Sequence, residues 1–379
     1  MQNQYSKKVR IISYHNAHNF GAILQAYGLQ ETLKKLGYTD VLFMHYEPTY
    51  LKNRYNPLSK KNRTPSHGNI IKKLKWLIGY LYFCINSFLR NQHFKKSIKR
   101  LLNQTSIKYD EYTSYVDETI DILICGSDQI WNCDITGKVD PIFFGKNIYK
   151  HLGYAISYAA SSELSSISAK QNIEEIKSNL NNLKEISVRE YQLKVILEQY
   201  TQKAIKTCID PTLLAGSEVF NKIVTNRKIK DNYILIYSYD ANDFLTQKVI
   251  QKIPNYNSFK QHIILLGPKT CKQVLNKNIH SAIYVEDFLS YFQQASYIVT
   301  NSFHGLAFSL LFNKNFNVTY APGKENRCKS LLNQIDLMDR FIDNETTISW
   351  ELPDYNKINT NIEKIRKTSL NYLINALMH

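Results

Sequence analysis

The sequence lacks several features that would place it in a well-marked class of protein. Its six cysteines are scattered without the spacing of zinc ligands, and no group of Asp, Glu or His residues stands at metal-ligand spacing. We therefore expect reduced thiols and catalysis without a metal ion. There is no internal repeat and no low-complexity tract. The first residues lead into a predicted strand without an apolar signal region, which favours a cytoplasmic protein.

Acidic residues are also missing from one long stretch. Between Pro48 and Tyr109 the chain has 14 Lys or Arg residues and no Asp or Glu, which accounts for 14 of its 16 excess positive charges. Within this basic insert, residues 48–109, the apolar run Trp76–Leu89 is about two-thirds of the length that spans a bilayer. Such a segment suits a membrane interface, and a buried helix with a solvated basic flank fits equally well. A nucleic-acid function is disfavoured because the insert has no recognised binding motif.

Polar turns follow apolar strands at several points along the chain. The strands are predicted at Val9–Tyr14, Ile120–Cys125, Leu152–Tyr158, Glu185–Val188 and Tyr297–Thr300. The turn after the last of them, Asn301–Gly305, opens an apolar helix. Ligands of parallel α/β sheets collect outside the carboxyl ends of strands, where helix N-termini present free N–H groups. These turns therefore predict a site for an anion.

The length of 379 residues and the hydrophobic content of 44% fit two domains of ordinary size. We predict a first lobe over residues 1–214, a second over 215–355, and a C-terminal helix over 356–379 with one apolar face. The strands alternate with helical stretches, which favours parallel sheets. One helix is predicted to open at Asn19 and to end at Gly37.

Five motifs together resemble the polysaccharide pyruvyltransferase family. In chain order they are Asn19-x-Gly21-Ala22-x-x-Gln25, Gly126-Ser127-Asp128-Gln129-Ile130-Trp131-Asn132, Ser187-Val188-Arg189-Glu190, Asp210-Pro211-Thr212-Leu213-Leu214 and Ser302-Phe303-His304-Gly305. The resemblance implies an α/β fold of two Rossmann-like lobes resembling the GT-B glycosyltransferase fold, with a C-terminal helix that crosses back to the first lobe. It also implies transfer of a pyruvyl group from phosphoenolpyruvate to sugar hydroxyls, as a ketal, in bacterial polysaccharide or cell-surface glycan biosynthesis.

The resemblance also bears on the partners of the chain. Pyruvylated bacterial glycans are commonly built on undecaprenyl diphosphate at the cytoplasmic face of the membrane. The implied partners are therefore phosphoenolpyruvate as donor and a sugar or a lipid-linked oligosaccharide as acceptor, with no nucleic acid and no cofactor besides the donor. Our hypothesis is that residues 48–109 dock the enzyme on an anionic membrane, at the inner face of the plasma membrane.

The motifs supply candidate catalytic and binding residues. Arg189 is the candidate for holding an anionic group of the donor, because a guanidinium keeps its charge and makes two-pronged contacts; the alternative is a surface pair with Glu190. His304 is the candidate proton donor to C3 of the donor, or else a ligand of the departing phosphate. Asp128 is the candidate base for the acceptor hydroxyl, or else a cap of its own turn. Trp131 is expected to stack on a sugar or to be simply packed. The other predicted substrate-binding residues are Asn19, Gly21, Ala22, Gln25, Gly126, Ser127, Ser302, Phe303, Gly305 and Arg327.

One turn departs from the family pattern. Several pyruvyltransferases have Arg-Leu-His where this chain has Ser302-Phe303-His304, so a donor-binding arginine is missing there. Arg327 is the candidate replacement, and its alternative is an exposed position at a helix start. Two other functions stay open from the sequence: a GT-B-type glycosyltransferase that uses a nucleotide-sugar, and a non-catalytic glycan-binding or assembly subunit.

Overall fold

The structure of the protein, a computed structural model, describes residues 5–56, 70–226, 229, 231–238, 244–265, 273, 276–343 and 348–378. Within these ranges the strands form two sheets of seven and six strands in which every neighbouring pair is parallel. The strands of the first sheet are β1 Tyr5–Ile12, β2 Tyr38–Tyr46, β3 Gln104–Tyr109, β4 Val116–Cys125, β5 Tyr149–Ser157, β6 Leu183–Val188 and β7 Ile205–Thr207. Those of the second sheet are β8 Tyr233–Ser238, β9 Lys260–Leu265, β10 Ile279–His280, β11 Tyr297–Thr300, β12 Asn315–Thr319 and β13 Phe341–Ile342.

Helices connect the strands. They are α1 Phe20–Lys35, α2 Thr49–Arg54, α3 Ile70–Leu101, α4 Cys133–Thr136, α5 Leu164–Ile167, α6 Lys170–Leu180, α7 Tyr191–Leu197, α8 Pro211–Ala215, α9 Ser217–Asn221, α10 Phe244–Lys252, α11 Val285–Gln294, α12 Phe303–Leu311, α13 Glu325–Gln334 and α14 Tyr355–Leu377.

Both sheets have the strand order of a Rossmann fold. The first runs β3-β2-β1-β4-β5-β6-β7 and the second β10-β9-β8-β11-β12-β13. In each sheet the early strands are added on one side of the first strand and the later strands on its other side. The central strands are apolar because parallel sheets are covered by helices on both faces. The predicted pair of Rossmann-like lobes is therefore confirmed. The first sheet ends at Thr207 and the second begins at Tyr233, on either side of the predicted boundary near residue 214, which stays a prediction.

The registers bring the predicted turns to one edge of each sheet. Ile12 at the end of β1 pairs with Cys125 at the end of β4, so the segments that follow them start at the same level. In the second sheet Thr300 pairs with Tyr237. The side-chain oxygen of Asn19 accepts hydrogen bonds from the N–H groups of Gly21 and Ala22 at 2.9 and 3.4 Å, which confirms that α1 opens there.

The C-terminal helix joins the two lobes, as the resemblance implied. At its start the Tyr355 hydroxyl lies 3.3 Å from the carbonyl oxygen of Ser309 in the second lobe. Further along, the Tyr372 hydroxyl donates to the Ser157 carbonyl in the first lobe at 2.8 Å. The apolar face of α14 is buried in the core, through Ile358, Ile362, Leu373 and Leu377.

Helix α3 gives the basic insert two different halves. From Arg90 onward the helix packs between the lobes: the Arg90 guanidinium donates to the carbonyls of His18 and Ser281 at 2.9 and 2.6 Å. Burial lowers the pKa of Arg90 to about 10. In residues 70–89, by contrast, most of the large apolar side chains are exposed to solvent. Residues 57–69 of the insert lie outside the described residues. None of the helices that the structure describes has the length and apolar character needed to cross a membrane.

Candidate functional site

A cavity of about 410 Å³ lies where the carboxyl ends of the two sheets face each other. Its walls come from the segments after β1, β2, β4 and β5 in the first lobe and after β11 and β12 in the second. Six residues predicted from the sequence line it: Asn19, Ala22, Asp128, Ser302, His304 and Arg327. The structure thus brings together residues that are up to 308 positions apart, from 19 to 327, at the switch points of two parallel sheets.

His304 lies in the first turn of α12 and is 5% exposed. Its imidazole packs directly on α1, because a Cβ at Gly21 would lie 2.2 Å from both Cγ and Nδ1 of the ring. A glycine at position 21 therefore leaves the space that the imidazole occupies. The structure places Gly21 against the histidine, not in the lining of the cavity.

Asp210 lies buried next to His304, between the end of β7 and the start of α8. Its Oδ2 is 3.7 Å from Nε2 of His304 and 2.7 Å from Nη1 of Arg189. Ser127 Oγ donates to the same oxygen at 3.2 Å, while the N–H of Thr212 donates to Oδ1 at 2.9 Å. Burial raises the pKa of Asp210, but the neighbouring His304 and Arg189 outweigh it and hold that pKa well below its usual range. An ionised carboxylate thus lies beside the imidazole of His304.

Arg189 is buried, with 5% of its surface exposed, and it is not among the residues that line the cavity. Its three nitrogens donate to three different partners: Nη1 to Asp210, Nε to Glu190 at 3.1 Å and Nη2 to Ser161 Oγ at 2.9 Å. The guanidinium also lies 4.1 Å from the centre of the Phe303 ring. Burial raises the pKa of Glu190 in spite of this pairing. The surface position considered for Arg189 is excluded, and its direct contact with a donor stays a prediction.

Asp128 combines a lining position with an unusual backbone. Its φ of +76° is one that residues with a side chain rarely adopt, and such strain is concentrated at functional sites. Its Oδ1 accepts a hydrogen bond from the N–H of Gln129 at 2.9 Å, so it also caps its own turn. Both roles considered from the sequence are therefore compatible with its position.

The remaining motif residues support the site from behind. Trp131 is 1% exposed, donates from Nε1 to the Phe143 carbonyl at 2.9 Å and stacks on Phe144, so it is packed in the core. Gln25 is buried and donates to Ser13 Oγ at 2.8 Å, and Ser13 Oγ in turn donates to the Ser127 carbonyl. These bonds tie α1 to the loop that begins at Gly126, whose N–H donates to the Ile12 carbonyl.

Gly305 and Ser302 lie at the turn that opens α12. A Cβ at Gly305 would lie 2.1 Å from Thr300 Oγ1, which accepts a hydrogen bond from the N–H of Ser302. Gly305 is thus needed for packing. No side chain caps this helix, so its first N–H groups face the same region as His304. Helix α13 likewise begins without a side-chain cap, at Lys324.

Cationic groups from both lobes reach the cavity. Arg327 is 5% exposed, which excludes the exposed position considered for it, and its Nη2 lies 3.3 Å from Oε1 of Glu163. Lys324 comes from the same turn, and Arg54 comes from α2 in the first lobe. Burial lowers the pKa of Lys324. The nearby charges of Arg327 and Arg54 lower this pKa further, whereas the carboxylate of Glu163 raises it. These three cations could bind a ligand with more than one negative charge, and the lining also contains the carboxylates of Asp128, Asp134 and Glu163.

Sequence reasoning missed several residues of this site. Asp210 stood in a quoted motif, and the Asp-Pro pair after a strand was the available signal. Lys324 was three positions from Arg327, but Glu163 and Arg54 had no distinguishing signal. In the sequence Arg54 is one of the 14 basic residues of the insert. No three His, Cys, Asp or Glu side chains among the described residues are grouped so that they could hold a metal ion.

The solved structures that resemble this chain include two UDP-GlcNAc 2-epimerases and a glycosyltransferase. The UDP-GlcNAc 2-epimerase from Neisseria meningitidis bound to UDP-GlcNAc is 10% identical, with 98% of this chain and 99% of that chain covered and a TM-score of 0.48. The UDP-GlcNAc 2-epimerase from Methanocaldococcus jannaschii is 14% identical, with 94% and 92% covered and a TM-score of 0.44. The glycosyltransferase SnogD from Streptomyces nogalater is 9% identical, with 99% and 98% covered and a TM-score of 0.35. No curated protein sequence matches the chain significantly.

A family model gives the assignment that these distant structures do not. The model described as polysaccharide pyruvyl transferase matches residues 19–320, which is about four-fifths of the 379 residues. The match begins at the capping residue of α1 and ends after β12, so it includes every motif quoted above. The chain therefore belongs to the polysaccharide pyruvyl transferase family and is a transferase.

Proposed function

We propose that the protein transfers a pyruvyl group from phosphoenolpyruvate to two hydroxyls of a sugar and releases phosphate. A proton adds to C3 of the donor, and the oxygen of the first hydroxyl bonds to the cationic C2. The bond from C2 to the phosphate oxygen then breaks, and the second hydroxyl closes the ketal. The two hydroxyl protons balance the one gained at C3 and the one carried by phosphate. The observation that carries the proposal is the cavity in which His304 and several cationic groups meet in a chain of this family.

The donor is a trianion at its most ionised, so its binding requires positive charge without bulk water. Arg327, Lys324 and Arg54 supply that charge from both lobes, and the uncapped first turns of α12 and α13 add backbone N–H groups. In this proposal Arg327 replaces the arginine missing at Ser302. Donor binding would draw Arg327 away from Glu163, which is at 3.3 Å.

His304 is proposed as the group that transfers or binds the proton of the reaction. Its Nε2 lies 3.7 Å from the ionised Asp210, and its Nδ1 lies on the side of the ring that packs against Gly21. Arg189 fixes Asp210 through the 2.7 Å ion pair and thus acts as a positioning residue. A histidine beside a buried carboxylate suits proton delivery to C3 and also suits contact with the departing phosphate.

The acceptor is proposed to bind on the side of the cavity formed by the first lobe. Asp128, in its strained turn, is the candidate base for the attacking hydroxyl, and Asn132 and Asn19 offer polar groups to a sugar. We further propose a lipid-linked oligosaccharide as the acceptor, which places the enzyme in the cytoplasm at the inner face of the plasma membrane.

The test is a direct assay of both products. Purified protein is incubated with phosphoenolpyruvate and a panel of galactose, mannose and N-acetylhexosamine glycosides and lipid-linked sugars, and phosphate release and product mass are followed. A mass gain of one pyruvic acid less one water, with stoichiometric phosphate, is expected. The reaction is overturned if no acceptor gains mass and calorimetry detects no binding of phosphoenolpyruvate. Retention of a labelled nucleotide-sugar in that case would favour the glycosyltransferase considered from the sequence.

A further inference from the structure

The first half of α3 presents an apolar surface to solvent. Ten large apolar side chains on residues 70–89 are between 45% and 83% exposed. We call these residues the outer stripe: Ile70, Ile71, Leu74, Leu77, Ile78, Leu81, Tyr82, Ile85, Phe88 and Leu89. No charged side chain occurs from position 76 to 89. Contiguous exposed apolar surface of this size marks an interaction site.

The pattern is the reverse of an ordinary surface helix. The outer-stripe residues recur every three or four positions, so they share one face of α3. The opposite face is the covered one, since Gly79, Ser87 and Arg90 are buried. Because Arg90 and Asn86 are hydrogen-bonded to residues of the loops around them, the helix is fixed in this orientation. The apolar face is thus held outward by the fold.

Cations border the outer stripe at both ends. Lys95, Lys96 and Lys99 are exposed and continue the spacing of the stripe along the same face of the helix. At the other end stand the exposed lysines 72, 73 and 75. No acidic residue lies between positions 48 and 109 to oppose them. An apolar face bordered by lysines is the composition of a helix that lies in the plane of an anionic lipid surface.

We propose that the outer stripe of α3 docks the protein on an anionic membrane, parallel to its surface. At about 1.5 Å per residue the stripe is about 30 Å long. Its side chains enter the boundary between headgroups and acyl chains, while the lysines at both ends bind anionic headgroups.

Charge distinguishes this partner from a second copy of the chain. If two copies paired through the stripe in parallel, the exposed Lys95, Lys96 and Lys99 of one copy would face the same lysines of the other, and in an antiparallel pair they would lie beside the cationic end at lysines 72, 73 and 75. The segment offers no carboxylate to neutralise them. An anionic lipid surface is complementary to both features of the helix, the apolar face and its cationic ends.

A second cleft connects α3 with the catalytic cavity. This cleft, of about 360 Å³, is lined by Asn91 and Lys95 of α3, and it shares Leu51 and Tyr55 with the cavity that contains His304. Docking through the outer stripe would therefore place the cleft beside the lipid headgroups. In this respect the inference rests on the proposed function, because it gives a lipid-linked acceptor a route to the cavity.

The experiment is flotation of the full chain with vesicles of phosphatidylcholine, with and without phosphatidylglycerol. We expect binding to the vesicles that contain phosphatidylglycerol. The stripe variant carries Leu77→Ser, Leu81→Ser and Ile85→Ser, and we expect about a hundredfold weaker binding, since each side chain contributes about fivefold. A charge variant, Lys95→Gln with Lys96→Gln and Lys99→Gln, is expected to lose about fivefold per lysine in the anionic vesicles.

The matched control removes three exposed apolar side chains from other elements. It carries Val195→Ser, Phe244→Ser and Leu352→Ser, at positions 42%, 74% and 63% exposed, and it should float like the wild type. The proposal is overturned if the wild type does not bind anionic vesicles, or if the stripe variant binds as well as the control. A different result would identify self-association instead: the wild type does not bind vesicles and is a dimer, and the stripe variant is a monomer. Calorimetry with phosphoenolpyruvate separates this result from the proposed function, because a soluble donor does not require the stripe.

Discussion

Replacing Gly21 by alanine should inactivate the enzyme while leaving the fold intact. The added Cβ would lie 2.2 Å from Cγ and Nδ1 of His304, where ordinary contact begins at 3.4 Å. Ordinary contact is therefore restored when the imidazole and α1 separate by about 1.2 Å, the difference between these distances. A displacement of about 1 Å at a reacting group costs about a hundredfold in rate. We expect kcat to fall by about that factor.

Stability should respond to a limited extent. Of the three nearest atoms, Cγ and Nδ1 can move when the His304 side chain rotates, whereas Cβ of His304, which would lie 2.7 Å away, moves only with the backbone. Such overpacking costs about 1–3 kcal/mol, and the preference of a helix for alanine over glycine offsets about 1 kcal/mol of it. The free energy of unfolding of the Gly21→Ala variant should therefore fall by no more than about 2 kcal/mol. Binding of phosphoenolpyruvate should also persist, because the cationic residues are not displaced.

The matched control is the same substitution at Gly153 in β5. There the added Cβ would lie 2.4 Å from the backbone oxygen of Asp121, which cannot rotate away. Gly153→Ala should lose about 1–3 kcal/mol in urea unfolding, with little loss of kcat in the fraction that is folded. The measurements are initial rates of phosphate release and unfolding curves for both variants. A Gly21→Ala enzyme with normal kcat would refute the view that Gly21 positions His304 for chemistry.

Three further outcomes follow from the site. Single replacement of His304 or Arg189 by alanine should lower turnover by roughly a hundredfold or more, and near-normal rates in both variants would contradict the assignment of the site. Arg327→Ala should raise KM for phosphoenolpyruvate by about tenfold with a smaller effect on kcat, and an unchanged KM would remove Arg327 from the donor site. The pKa of Asp210 is lower in the folded state than in the unfolded state. The ionised carboxylate therefore stabilises the fold fully above the usual Asp pKa of about 4, and this contribution is lost progressively as the pH falls below that value. Asp210→Asn should therefore be less stable than the wild type by about 3 kcal/mol at neutral pH. The difference should shrink in urea unfolding on acidification to about pH 3, and a difference independent of pH would contradict it.

Local chemistry explains which parts of the fold were predictable. The helix that opens at Asn19 was marked by its own capping side chain, and strand β11 was found at Tyr297–Thr300 because it is an apolar run bounded by polar residues. Such signals lie within a few residues of the feature that they predict. The Rossmann order of both sheets follows from the alternation of strands and helices, which leaves few ways to bury both faces.

The site was predictable at the level of residues but not of contacts. An arginine after a strand looks the same whether it faces solvent, a ligand or a carboxylate. Arg189 and Asp210 are 21 positions apart in the sequence, and their ion pair joins the segments that follow the neighbouring strands β6 and β7. The outer stripe posed a similar difficulty, because apolar residues at helical spacing ordinarily predict a face turned to the core. Only the packing of Gly79 and Arg90 shows that the core lies on the other side.

The missing arginine at Ser302 links donor binding to the relation between the lobes. An arginine in that turn would have held the donor beside His304 from a single element of the second lobe. Here the cations are divided, with Arg54 on α2 in the first lobe and Lys324 and Arg327 at the start of α13 in the second. In the proposed reaction each lobe alone would offer the donor an incomplete set of charges, so full affinity would require both lobes at once. His304 and Asp210 are divided in the same way, because Asp210 follows β7 of the first sheet and His304 lies in α12 of the second lobe. Approach of the lobes around the donor would therefore complete the anion site and the proton-transfer pair in a single movement.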